Sequence, residues 1–99
     1  MIKHLSKQDN FGEEIQGKLV LVDFFATWCG PCSMLAPVIE DLDKEMEIKV
    51  IKVDVDELPA VAQKFRVMSI PTLVLFKDGK PVNVATGYMP LENLRNFVK

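Results

Sequence analysis

The chain has 99 residues, 48% of them hydrophobic and 26% charged, with a net charge of −2. That length reads as one domain, residues 1–99, which buries roughly two thirds of its unfolded surface by size scaling. The charge gives no basic footprint for nucleic acid, and no apolar run approaches the roughly 20 residues of a membrane-spanning helix. Ile2 to Leu5 reads as a short edge strand. Ser6 is a good N-cap for a first helix, with Asp9 three residues on, Phe11 and Ile15 as its buried positions and Gly17 as its end. From Leu19 to Phe25 the chain is apolar except for Asp23, the pattern of a strand buried on both faces. Past Ala26-Thr27-Trp28-Cys29-Gly30-Pro31-Cys32 the period changes, and Leu35, Val38, Ile39, Leu42 and Met46 fall on one face of a helix. Pro37 inside that helix predicts a kink, and Met34 and Met46 read as core. Ile48 to Val55 is a second strand, and the strand–helix–strand unit argues for parallel pairing with the first. Leu58, Val61, Ala62 and Phe65 repeat at helical spacing behind Pro59. The strand Thr72–Phe76 follows, then the hairpin signal Asp78-Gly79, then an edge strand Pro81–Ala85. Pro90 opens a last helix with Leu91, Leu94, Phe97 and Val98 buried. The order βαβαβαββα is that of an α/β protein.

Only two cysteines occur, Cys29 and Cys32, placed where a buried strand hands over to a helix. A structural zinc site wants four nitrogen or sulfur ligands, and only His4 is available to join the two sulfurs. A purely structural disulfide across so short a loop removes little unfolded-state entropy. A Cys-X-X-Cys beside a strand–helix–strand pattern reads instead as a dithiol redox site. Helix N-termini carry unpaired N–H groups and a partial positive charge, which favour a thiolate over a thiol. Cys29, just before the helix, is thus expected to be an exposed nucleophile of depressed pKa. Cys32, in the first turn, is expected to be shielded yet near enough to resolve a mixed disulfide at Cys29. Pro31 suits the first turn because its missing N–H is not needed there. An unpaired charge in a run as apolar as that around Asp23 is costly and usually functional, and burial raises its pKa by desolvation.

The run from Val22 to Cys32 resembles the active-site segment of the thioredoxin family. Ala36-Pro37, Lys52-Val53-Asp54-Val55-Asp56, Ile70-Pro71-Thr72, Phe76-Lys77-Asp78-Gly79 and Gly87 follow in the family's order and cover essentially the whole chain. The resemblance implies the thioredoxin fold, a central mixed five-stranded sheet flanked by four helices. It implies a disulfide reductase in which Cys29 attacks, Cys32 resolves and Asp23 handles the proton of Cys32. Lys52 resembles the family lysine near that aspartate, although a solvated strand lysine reads equally well. Pro71 is implied to follow a cis bond and to face the dithiol, leaving the preceding backbone, Ser69-Ile70, free to pair with an extended substrate, with Thr72 also among the substrate-binding residues. Trp28, Gly30, Pro31 and Gly87 are implied to shape the docking rim. Ser33 stands where many members carry a basic residue, and Tyr88 is large for its rim position; both bear on partner preference.

No bound cofactor is implied: electrons come from NADPH through a flavin-containing thioredoxin reductase. Implied targets are of the ribonucleotide reductase, peroxiredoxin and methionine sulfoxide reductase types. A thiol oxidant or isomerase of the same fold is a rival, disfavoured by Gly30-Pro31 between the cysteines. A binding module that uses only the apolar rim is another, disfavoured by the dithiol standing together with Asp23 and Pro71. With no signal-like apolar centre after Met1 and no secreted-type cysteine framework, the expectation is a cytoplasmic monomer.

Overall fold

A computed structural model describes all 99 residues. The apolar run after Leu19 forms the middle of a five-stranded sheet. In chain order the elements are β1 (Ile2–His4), α1 (Phe11–Glu14), β2 (Val20–Phe25), α2 (Gly30–Glu45), β3 (Lys49–Asp54), α3 (Pro59–Lys64), β4 (Thr72–Lys77), β5 (Lys80–Thr86) and α4 (Leu91–Phe97). Strand order is β1-β3-β2-β4-β5. β1 and β2 both pair parallel with β3, as a crossover through α2 requires, while β2–β4 and β4–β5 are antiparallel. The sheet is therefore mixed, with β1 and β5 at its edges and two helices over each face.

Strand alternation sorts the core into two layers. Val20, Val22 and Phe24 of β2 join Ile15, Leu58 and Ala62 on the side of α1 and α3. Leu21 joins Leu35, Ile39, Leu42 and Leu94 on the side of α2 and α4. By the same alternation Asp23 faces the α2 side. Asp78 and Gly79 both have positive φ, 52° and 79°, which is the geometry of a tight two-residue hairpin turn.

Two expectations are corrected. The first helix is a single turn capped by Asn10, whose side-chain oxygen accepts from the Glu13 N–H; Ser6 instead donates its N–H and hydroxyl to Asp9 in a separate turn. Met34 is 59% exposed rather than core, because the buried stripe of α2 runs through Cys32, Leu35, Ile39 and Leu42 and leaves position 34 on the outer side. Pro90 opens α4 as its N-cap, as expected. Pro37 lies inside α2, which continues past it to Glu45.

Candidate active site

β2 ends at Phe25, and four residues later Cys29 is the N-cap of the 16-residue α2. The turn between them is pinned by the Cys29 N–H donating to the Ala26 carbonyl and by the Val55 N–H donating to the Phe25 carbonyl. Cys29 and Cys32 are joined as a disulfide, with Cα atoms 5.2 Å apart. The Cys29 sulfur accepts the Cys32 N–H at 3.2 Å. It thus occupies the place where a capping side chain satisfies an orphan helix donor. No acidic residue stands in the first turn of α2 to offset its positive end.

The expected contrast in exposure between the two cysteines is absent in this oxidised form. Both are 5% exposed. They pack with Ala26 in a small cluster covered by Phe25, Val55 and Ile70, so the cover comes from tertiary neighbours that a helix position does not reveal. What separates them is direction. The Cys29 sulfur lies 3.8 Å from the Ile70 carbonyl oxygen, beside the Ile70–Pro71 bond. Cys32 instead lines a cavity of about 230 Å3 shared with Phe25, Ala26, Ser33, Ala36 and Lys52.

Asp23 is 1% exposed. One carboxylate oxygen is 3.7 Å from the Lys52 ammonium, and the other is buried with no hydrogen-bond partner. Burial pushes its pKa up to about 6 against the opposing pull of Lys52. Lys52 is the register partner of Asp23 in β3, and its ammonium sits 5.0 Å from the centre of the Phe25 ring. Of its two readings, partner and solvated strand residue, the geometry selects the first. Lys52 thus meets both Asp23 and the cavity that Cys32 lines.

The Ile70–Pro71 bond is cis, as expected. Pro71 is buried and its carbonyl accepts the Gly87 N–H at 2.8 Å, so Gly87 is tied to the same end of the sheet. Gly87 has φ of 88°, and a Cβ there would meet nothing within 4 Å. The backbone conformation alone favours glycine, and the space in front of it is open. Thr72 donates its hydroxyl to the Ser69 carbonyl, whereas the N–H groups of Ser69 and Ile70 make no backbone hydrogen bond. Gly30 and Pro31 are exposed at the start of α2.

Trp28 is 71% exposed, and its indole N–H donates to Asp56 at 2.7 Å. The Asp56 N–H in turn bonds to the Asp54 carboxylate. The ring walls a shallow groove of about 210 Å3 with Val55, Ala62, Val67, Met68 and Ile70. Sequence reasoning places Asp56 within a motif and gives it no task; its link to Trp28 joins residues 28 positions apart. Met68, 94% exposed beside the cis bond, is also missed by that reasoning. An apolar residue just before Ser69-Ile70-Pro71 is its only signal.

No cluster of three or more His, Cys, Asp or Glu side chains is placed to hold a metal. No helix is long and apolar enough to cross a membrane.

Comparisons with known proteins agree with this geometry. The thioredoxin family model matches residues 2–99. A thioredoxin of Staphylococcus saprophyticus is 53% identical over 92 residues, covering 91% of this chain and 88% of its own. One of Staphylococcus haemolyticus is 58% identical over 87 residues, covering 86% and 84%. The solved structure of a single-site mutant thioredoxin from Halobacterium salinarum superposes with a TM-score of 0.91 at 38% identity, covering 98% of this chain and 87% of the other. Members of this family are protein-disulfide oxidoreductases that work through the cysteine pair without a bound cofactor and are recharged by thioredoxin reductase. With its fold, its dithiol at a helix start and its relatives all in accord, this chain belongs to the thioredoxin family.

Proposed function

We propose that the Cys29 thiolate attacks a target disulfide and that Cys32 resolves the mixed disulfide. In the first step one target sulfur bonds to Cys29 and the other leaves as a thiolate. In the second, Cys32 gives its proton to Asp23 and attacks the Cys29 sulfur, the second target thiolate leaves, and the Cys29–Cys32 disulfide remains. The observation that carries this assignment is the capping position of the Cys29 sulfur, on the Cys32 N–H and beside the Ile70 carbonyl. That N–H and the helix N-terminus stabilise negative charge on Cys29 in particular. Asp23 is proposed to take that proton with Lys52 as its counter-ion, and a carboxylate with a pKa of about 6 is matched to accepting a proton near neutrality.

The substrate is proposed to lie extended along Ser69-Ile70, accepting hydrogen bonds from their free N–H groups, while Trp28, Gly30, Pro31, Thr72 and Gly87 border it and Pro71 shapes the turn. Gly30-Pro31 between the cysteines resembles reducing members of the fold, which supports work as a reductant. Targets of the ribonucleotide reductase, peroxiredoxin and methionine sulfoxide reductase types fit that chemistry, with NADPH electrons arriving through a flavin reductase. A monomer is proposed as the working unit. A dithiol that must be kept reduced suits the cytoplasm, and we place the protein there.

The test is trapping. Cys32→Ser is expected to accumulate a mixed disulfide with a protein substrate, seen as a reducible adduct by mass spectrometry, whereas Cys29→Ser forms none. Equal trapping by both variants contradicts the division of labour.

A further inference from the structure

We propose that Met68 is an oxidation site at which hydrogen peroxide switches off docking of protein substrates while leaving the dithiol chemistry intact. The inference rests on the docking reading above.

Two grooves meet beside the cis bond. One is the Trp28 groove already described. The other, of about 350 Å3, runs along the far side of the 66–69 segment toward the sheet edge and is walled by Phe65, Val67, Met68, Val74, Pro81 and Val84. Met68 is common to both and is 94% exposed, so its thioether stands on the ridge between them. The other methionines differ in place or in access. Met46 and Met89 are half-buried against the α2–α4 core, and neither Met1 nor Met34 lines either groove. Met68 is therefore the one methionine in which full access to an oxidant coincides with a position on the docking surface.

The chemistry balances with peroxide as the only co-reactant. A sulfur lone pair of Met68 attacks one peroxide oxygen, the O–O bond breaks, the sulfur keeps that oxygen as a sulfoxide and the second oxygen leaves as water. Sulfur gives up two electrons and the peroxide takes them. With Cys29 and Cys32 held as a disulfide, neither offers a thiolate to compete. The product is a polar, chiral group with a strong acceptor oxygen on an apolar ridge. An apolar substrate segment laid over it strips that oxygen of water without a donor in return. Small disulfides that reach Cys29 without covering the grooves are unaffected.

The experiment treats the disulfide form with hydrogen peroxide, removes the oxidant, and follows two readouts. Peptide mass mapping is expected to find one added oxygen at Met68 ahead of Met34. Turnover of insulin disulfides is expected to show KM raised severalfold with kcat unchanged, while turnover of a small aromatic disulfide keeps its rate. In Met68→Leu, peroxide treatment is expected to leave KM for insulin where that variant started; in Met34→Leu it raises KM as in the parent. Oxidation of Met34 ahead of Met68 overturns the proposal whatever the activity. So does an unchanged KM with Met68 fully oxidised, or the same rise in Met68→Leu. Failure of the docking reading itself shows elsewhere, as an untreated protein whose KM for insulin is indifferent to Met68→Gln.

Discussion

The two faces of β2 are made by alternate residues of one six-residue strand; both carry core residues, yet one of them also carries a charge that works against the fold. Val20, Val22 and Phe24 face α1 and α3 and pack in an apolar cluster that includes Phe65, whose ring lies 6.0 Å from that of Phe24. One residue along, Asp23 turns a carboxylate into the layer under α2, one oxygen unpartnered and the other 3.7 Å from a lysine. The first face stabilises the sheet by removing apolar area from water. The second also buries Leu21, but gives up stability at Asp23, whose burial penalises its charged form; the proton-accepting role proposed above would explain why it is held there. Fold and chemistry are thus separable by a single step along the strand, and substitutions on the two faces are expected to have opposite signatures.

The largest effect is expected on the structural face. Phe24→Ala removes a fully buried ring and is expected to cost about 3–5 kcal/mol in urea denaturation, by about the same amount at pH 4 and pH 7. The fraction that stays folded is expected to reduce disulfides at close to the parent rate.

On the chemical face the sign reverses. The folded pKa of Asp23, about 6, lies above its unfolded value of 3.8. Between those values the folded state binds more protons than the unfolded one, so stability falls as pH rises through the window and the full penalty is present above it. Two pKa units correspond to about 3 kcal/mol, and Asp23→Asn is expected to be more stable than the parent at pH 7 by about 1–3 kcal/mol, the lower end reflecting an unpaired Lys52. Paired denaturation curves are expected to converge below about pH 4, where both side chains are neutral. The same variant is expected to resolve mixed disulfides more slowly, by a factor of the order seen on losing a general base, about 100. A less stable or fully active Asp23→Asn removes the distinction between the faces.

Lys52→Met sharpens the comparison at smaller scale. Losing the only charge that opposes desolvation is expected to raise the Asp23 pKa further and to move the pH profile of the resolving step upward. An unmoved profile means that the ammonium at 3.7 Å does not act on the carboxylate. The smallest effect is expected at Asp56→Asn, where one exposed hydrogen bond is weakened at a cost of about 0.5–1.5 kcal/mol at most. Trp28 is the only tryptophan, so its fluorescence anisotropy reports the loss of its anchor directly, and a drop is expected.

Much of this is legible in the sequence because it is written in local pattern. The apolar run with one charge announces both the central strand and Asp23, the change of period after Cys32 announces α2, and the Asp78-Gly79 pair announces the hairpin. The cis bond before Pro71 comes from resemblance, not from the residues themselves. What stays hidden depends on contacts between distant segments. The burial of Cys29 comes from Ile70 and Val55, the anchoring of Trp28 from Asp56, and the ridge at Met68 from β5 lying opposite it. The missed cap has a different origin. Ser6 and Asn10 are both good N-caps, and the choice falls to the one from which Phe11 reaches the aromatic cluster with Phe65 and Phe76.

The central claim is that a carboxyl group buried behind the dithiol titrates near neutrality. A carbon-13 NMR titration of the aspartate carboxyls in the disulfide form reads it directly, with Asp23→Asn identifying the signal. The account predicts a midpoint of about 6 for Asp23. A midpoint near the ordinary 3.8 would contradict it, and would make Asp23 a residue whose pairing with Lys52 cancels its desolvation, with no part in moving the proton of Cys32.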